Sequence, residues 1–68
     1  MVNGRKIREL RENENLTTLE FAEKVHTSQA MISSVEIGLK KPGIELLKRI
    51  ADYFGLAVDD LLESERAM

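Results

Sequence analysis

The stretch Leu16–Gly38, LTTLEFAEKVHTSQAMISSVEIG, decides the fold. It reads as a short helix, a break over Val25-His26-Thr27-Ser28, and a second short helix. The first start is doubly marked. Thr17 and Glu20 have the T-x-x-E spacing of a capping box, in which hydroxyl and carboxylate each satisfy the other residue's free backbone N–H. Leu16 and Phe21 fall at the staple positions on either side of that cap. Phe21, Ala22 and Val25 then make one narrow apolar face. Ser28 is an N-cap for the second helix, whose Ile32 and Val35 point inward at i and i+3. Gly38 supplies the left-handed residue that ends it. So short a break gives an abrupt change of direction. The two helices cross steeply and leave one face of the second turned outward.

Working outward, Asn3 caps an opening helix with Ile7 and Leu10 inward and Arg5/Glu9 and Arg8/Glu12 as i,i+4 pairs. The polar run Glu12-Asn13-Glu14-Asn15 ends it. On the other side, Leu39-Lys40-Lys41-Pro42-Gly43 is a loop, because Pro42 cannot continue a helix and disfavours helical geometry at Lys41. Ile44, Leu47, Ile50, Ala51 and Phe54 recur at helical spacing and predict an amphipathic helix. Gly55 closes it, with Ala51 and Leu56 placed for the apolar contact of a Schellman end. A last short helix runs from Val58 to Glu63, with Asp59 and Asp60 at its dipole-positive start and Leu61 and Leu62 facing the core. No alternating stretch is long enough for a strand. The fold class is all-α: five short helices over residues 1–63, the sharp pair in the middle, and a frayed tail at 64–68.

Composition narrows the function classes. With 68 residues this is one domain, close to the lower limit for folding without staples. There is no Cys, hence no disulfide and no thiolate metal site. The single His26 does not make a structural zinc site, so neither metal nor cofactor is expected. An enzyme is not expected either, since no nucleophile constellation or Gly-rich phosphate loop occurs. A pocket for a small-molecule ligand is not expected in so small a core. No apolar run is long enough to span a membrane and no signal-peptide pattern opens the chain, which predicts a cytoplasmic location. The formal net charge is −2, unevenly spread. Residues 1–41 carry seven basic groups, Arg11 among them, against six acidic ones; residues 42–68 carry three against six. An anionic partner would meet the N-terminal part, although charge alone does not point to nucleic acid.

The run IRELRENENLTTLEFAEKV, then SQAMISSVEIG, then KPGIELLKRIADYFGLAVDDLL resembles the helix-turn-helix family of phage repressor and Cro proteins over about residues 4–63. Leu16-Thr17, Ala22 against the turn, Ser28 as cap, Ile32 and Val35 inside, Glu36-x-Gly38 and Pro42 carry the likeness by their order and spacing. The resemblance implies a lambda-repressor-like domain and a sequence-specific transcriptional regulator, a repressor. It would bind double-stranded operator DNA as a homodimer with the 28–37 helix in the major groove. Carried onto this sequence, Gln29, Ala30, Ser33 and Ser34 are the base-contacting positions. Gln29 is suited to a bidentate pair with adenine, Ala30 to a thymine methyl, and the serines to less selective hydrogen bonds. Thr18, Ser28, Lys40 and Lys41 fall at phosphate-contacting positions, which add affinity and salt dependence.

The sequence departs from the family pattern in three ways. The recognition helix has no Arg or Lys before Lys40, so the usual grip on guanine is missing. His26 stands where Gly is frequent, and His is among the residues enriched at positive φ. Leu19, Met31, Ile37 and Leu39 give the expected DNA face an apolar rim. That rim supports a competing reading: a helix-turn-helix protein-interaction module, co-regulator or antitoxin-like, that does not itself bind DNA.

Overall fold

The computed structural model describes residues 2–62, which form four α-helices and one 3-10 turn. The helices are α1 (Gly4–Asn13), α2 (Thr18–Lys24), α3 (Gln29–Glu36) and α4 (Ile44–Phe54); the turn is Val58–Leu61. The expected N-caps form. Asn3 accepts from the Lys6 N–H at 3.1 Å, and Ser28 Oγ from the Met31 N–H at 3.1 Å. The capping box closes both ways: the Glu20 N–H donates to Thr17 Oγ1 at 3.1 Å, and the Thr17 N–H to Glu20 Oε1 at 2.9 Å.

The four α-helices all stop alike. Each is followed by a residue of positive φ: Asn15 (59°), His26 (61°), Gly38 (81°) and Gly55 (71°). The next residue's N–H reaches back to a carbonyl of the last turn, from Leu16 to Arg11, Thr27 to Ala22, Leu39 to Ser34 and Leu56 to Ala51. These are Schellman closures, which satisfy carbonyls that a helix end leaves free. His26 does adopt the left-handed conformation, so the turn survives without glycine. Arg49 of α4 secures that turn, donating to the Val25 carbonyl at 2.8 Å and the His26 carbonyl at 3.4 Å.

Ile7, Phe21, Ala22, Val25, Ile32, Val35, Leu47, Ile50, Ala51 and Leu61 are buried as the pattern requires. Leu10, Phe54, Leu56 and Leu62 pack half-buried against them. Four expectations need correction. Ile44 is 61% exposed, and Leu46 is buried in its place. Ile44 opens α4 at the margin of a stripe centred on Leu46, Leu47 and Ile50. The fifth helix is a 3-10 turn instead. Ala57 donates to Asp60 Oδ2 at 3.0 Å, and Leu62 then turns extended to form an antiparallel bridge with Val2. The Asn3 N–H donates to the Leu61 carbonyl at 2.8 Å beside it. Of the two surface pairs on α1, Arg8–Glu12 forms at 3.0 Å, while among the described residues Arg5 and Glu9 make no ion pair. Finally, Arg11 is buried, so the N-terminal part presents one basic group fewer to an outside anion than the seven counted over residues 1–41. The expected helix end at Glu63 and the tail at 64–68 lie outside the described residues.

Gly4 sits where α1 begins against the end of α3. A Cβ there would lie 2.3 Å from the Val35 carbonyl oxygen and 2.7 Å from that of Glu36. Both obstacles are backbone, so a helix must move. Gly4→Ala is expected to lower stability by about 1–3 kcal/mol in chemical unfolding, despite alanine's higher helix propensity. A more stable Gly4→Ala variant would show that α1 can retreat from α3 without cost.

Candidate nucleic-acid interface

The geometry of α3 follows from what its inner side buries. Ile32 and Val35 are buried and Met31 half-buried against the core. Helical periodicity then turns Gln29, Ala30 and Ser33 to the opposite side, and all three are exposed. Ile37, the C-cap, continues that stripe and is 73% exposed. Ser34 lies on the flank of the stripe and is half-buried, because the turn after α3 folds back onto it. Its carbonyl accepts from the N–H groups of both Leu39 (2.8 Å) and Lys40 (3.3 Å).

Gln29 does not hang free. Its Nε2 donates to Thr18 Oγ1 at 2.9 Å, so the first residue of α2 steadies the first residue of α3. The structure thereby brings together one residue expected at bases and one expected at phosphates. Ser28 is exposed beside them, its hydroxyl engaged in capping. Lys40 and Lys41 are exposed in the loop beyond α3, where they line a shallow cavity of about 100 Å³ with Val2, Val35 and Gly38. Leu19 and Leu39 are exposed and complete the apolar rim, from which the half-buried Met31 is largely withdrawn.

The far end of α3 is fixed by a feature that sequence reading missed. Arg11 Nε donates to Glu36 Oε2 at 2.7 Å and Nη2 to Glu36 Oε1 at 3.0 Å, while Nη1 donates to the Leu16 carbonyl at 2.7 Å. The side chains of Arg11 and Glu36 are only 10% and 5% exposed. The hydrogen bond to Glu36 raises the Arg11 pKa, against the lowering effect of burial, so the guanidinium stays charged. A signal existed: Arg11 stands four residues after Ile7, on the buried face of α1. An arginine in an apolar stripe calls for a buried acceptor.

Among the described residues, no group of His, Cys, Asp or Glu is arranged to hold a metal ion. No helix among them is long and apolar enough to cross a membrane.

Known proteins share this arrangement. The helix-turn-helix family profile matches residues 7–61. The HTH-type transcriptional activator BcrR of Enterococcus faecalis is 38% identical over 60 residues, which are 88% of this chain and 29% of BcrR. The chain therefore spans less than a third of that relative. The P22 c2 repressor protein, solved in complex with a synthetic operator, superposes with a TM-score of 0.85 at 24% identity, covering 93% of this chain and 96% of the repressor chain. SinR, the biofilm master regulator of Bacillus subtilis, solved in complex with DNA, gives a TM-score of 0.79 at 28% identity, covering 88% of this chain and 97% of its own. With its caps, its turn and its outward second helix all in place, the chain belongs to the helix-turn-helix family of transcription regulators, of the phage repressor and Cro type.

Proposed function

We propose that this chain is a sequence-specific DNA-binding regulator that sits on a two-fold symmetric operator as a homodimer, with α3 in the major groove. The observation that carries this reading is the exposed stripe Gln29, Ala30, Ser33 on a helix fastened at both ends. Thr18 holds it at one end and Arg11 at the other. Gln29 pairs with adenine, Ala30 meets a thymine methyl, and Ser33 and the flanking Ser34 add less selective hydrogen bonds. Thr18, Ser28, Lys40 and Lys41 contact phosphates and set orientation and salt dependence. Leu39, exposed just after α3, and Ile44, exposed at the start of α4, offer apolar surface to a second copy. The DNA-bound state of SinR supports this reading over a module that binds only protein. A cytoplasmic location and a non-catalytic role go with it.

Repression follows where the bound dimer covers a promoter and excludes polymerase. Contact with polymerase from a neighbouring site gives the opposite sign, activation, which is the sign in the name of BcrR. Operator placement, not the interface, decides between them. Selection of duplexes from a random pool at physiological salt tests the proposal. Half-sites related by two-fold symmetry and spaced about one helical turn apart are expected. Failure to retain any sequence would refute it.

The roles within the interface are separable. Gln29→Ala is expected to reduce discrimination at one base position by about 1–3 kcal/mol. Replacing Lys40 and Lys41 with Ala should weaken binding similarly on every sequence and flatten the salt slope by about two. Both are read from binding isotherms at several salt concentrations. Uniform losses from both changes would contradict the division between base and phosphate contacts.

A further inference from the structure

Resting on the DNA-binding reading, we infer that the operator bases under α3 are A·T pairs, with thymine methyl groups as specificity determinants and no side chain on this helix that selects guanine or cytosine, the serines bonding to any base. Four observations converge. First, α3 contains no Arg or Lys, the side chains that grip guanine at O6 and N7. Second, its one carboxylate, Glu36, the group that would accept from cytosine N4, is taken up by Arg11 and is only 5% exposed.

Third, the Gln29 amide is already committed in part. Nε2 gives one N–H to Thr18 Oγ1, which leaves one N–H and the carbonyl Oε1 for a base. That donor–acceptor pair matches adenine, which offers N7 as acceptor and N6 as donor. Guanine offers two acceptors, so Oε1 would face O6 lone pair to lone pair. Thr18 is therefore a positioning residue that fixes which purine Gln29 accepts.

Fourth, the rest of the outward stripe is apolar or a neutral hydroxyl. Ala30 and Ile37 bracket Ser33, and Ile37 is the most exposed large apolar side chain among the described residues. Ala30 and Ile37 are seven residue steps apart, about 10 Å at helical rise, or roughly three base steps. The thymine C5-methyl is the apolar group that bases present in the major groove.

The test uses the unaltered chain and a duplex recovered by selection from a random pool. Each thymine of a half-site is replaced in turn by deoxyuridine, which removes the methyl and keeps every hydrogen-bonding group. At contacted thymines the expected loss is about fourfold in affinity per methyl. Exchanging such a T·A pair for C·G should cost more, and 5-methylcytosine in place of that cytosine should recover the methyl's share. Deoxyuridine that is neutral throughout the half-site, or selected half-sites with G·C under α3, would overturn the inference while leaving DNA binding intact. Absence of binding to any duplex would sink both. Thr18→Val should let guanine compete with adenine at the Gln29 position, and Thr18→Ser should restore the preference. An unchanged base preference in Thr18→Val, with the fold verified by circular dichroism, would overturn the assignment of Thr18.

Discussion

Arg11→Ala is expected to remove about 3–5 kcal/mol of stability, because it strands a buried charge. The Arg11 guanidinium makes three hydrogen bonds, two to Glu36 and one to the Leu16 carbonyl. Without it the Glu36 carboxylate, almost fully removed from solvent, has no counter-charge, and the Leu16 carbonyl loses a donor. Small domains are stable by only about 5–15 kcal/mol, so a loss of this size leaves little folded protein. Urea unfolding followed by circular dichroism measures it. Arg11→Lys should fail to rescue fully, since an ammonium cannot present the same fork to the carboxylate while reaching Leu16. Replacing both partners, Arg11→Met with Glu36→Leu, should recover most of the stability, since no charge is then buried. A loss below about 1 kcal/mol for Arg11→Ala would show that the pair is solvated and exchangeable. The sign of any pH effect through Arg11 is also fixed. Its pKa is raised in the folded state, so its contribution is complete below the ordinary arginine range and fades only above it.

Phe21→Ala should cost about as much, roughly 3–5 kcal/mol, by a different route. Phe21 is fully buried in α2, its ring centroid 5.4 Å from that of Phe54 and 6.1 Å from that of Tyr53. Phe54 and Tyr53 meet edge to face at 5.1 Å. The cluster joins α4 to the helix that carries Thr18. Deleting the ring leaves a cavity that the surrounding helices close only in part. Phe21→Leu keeps most of the volume and should cost less than about 1.5 kcal/mol. Thermal unfolding of the two variants separates the explanations. Equal losses would mean that the aromatic contacts, and not the filled volume, matter.

What could be read from the sequence was chemistry acting within a turn of helix. Thr17 with Glu20, Ser28, Asn3, Gly38 and Gly55 each mark an end by a group that reaches three or four residues along the chain, and all appear as expected. The outward stripe of α3 was legible because Ile32 and Val35 fix the inward one. What escaped depends on distance or on phase. Arg11 and Glu36 are 25 positions apart and meet only after α1 packs on α3. The Gln29–Thr18 bond depends on the crossing angle at the His26 turn. Ile44 was misplaced because a stripe through Leu47, Ile50, Ala51 and Phe54 extends backward equally well to 44 or to 46. The segment from Val58 is too short to sustain an α-helix, so local signals there gave way to the bridge with Val2.

That bridge makes the domain nearly a ring. Val2 and Leu62 stand side by side, so the backbone almost returns to its point of entry. A short peptide spliced between them, with a new opening in the exposed loop around Lys41, would yield a circular permutant in which α4 precedes α1 and every interhelical contact is kept. The order in which the helices are synthesised is thus incidental to the assembly. What the fold requires is that the same faces find one another.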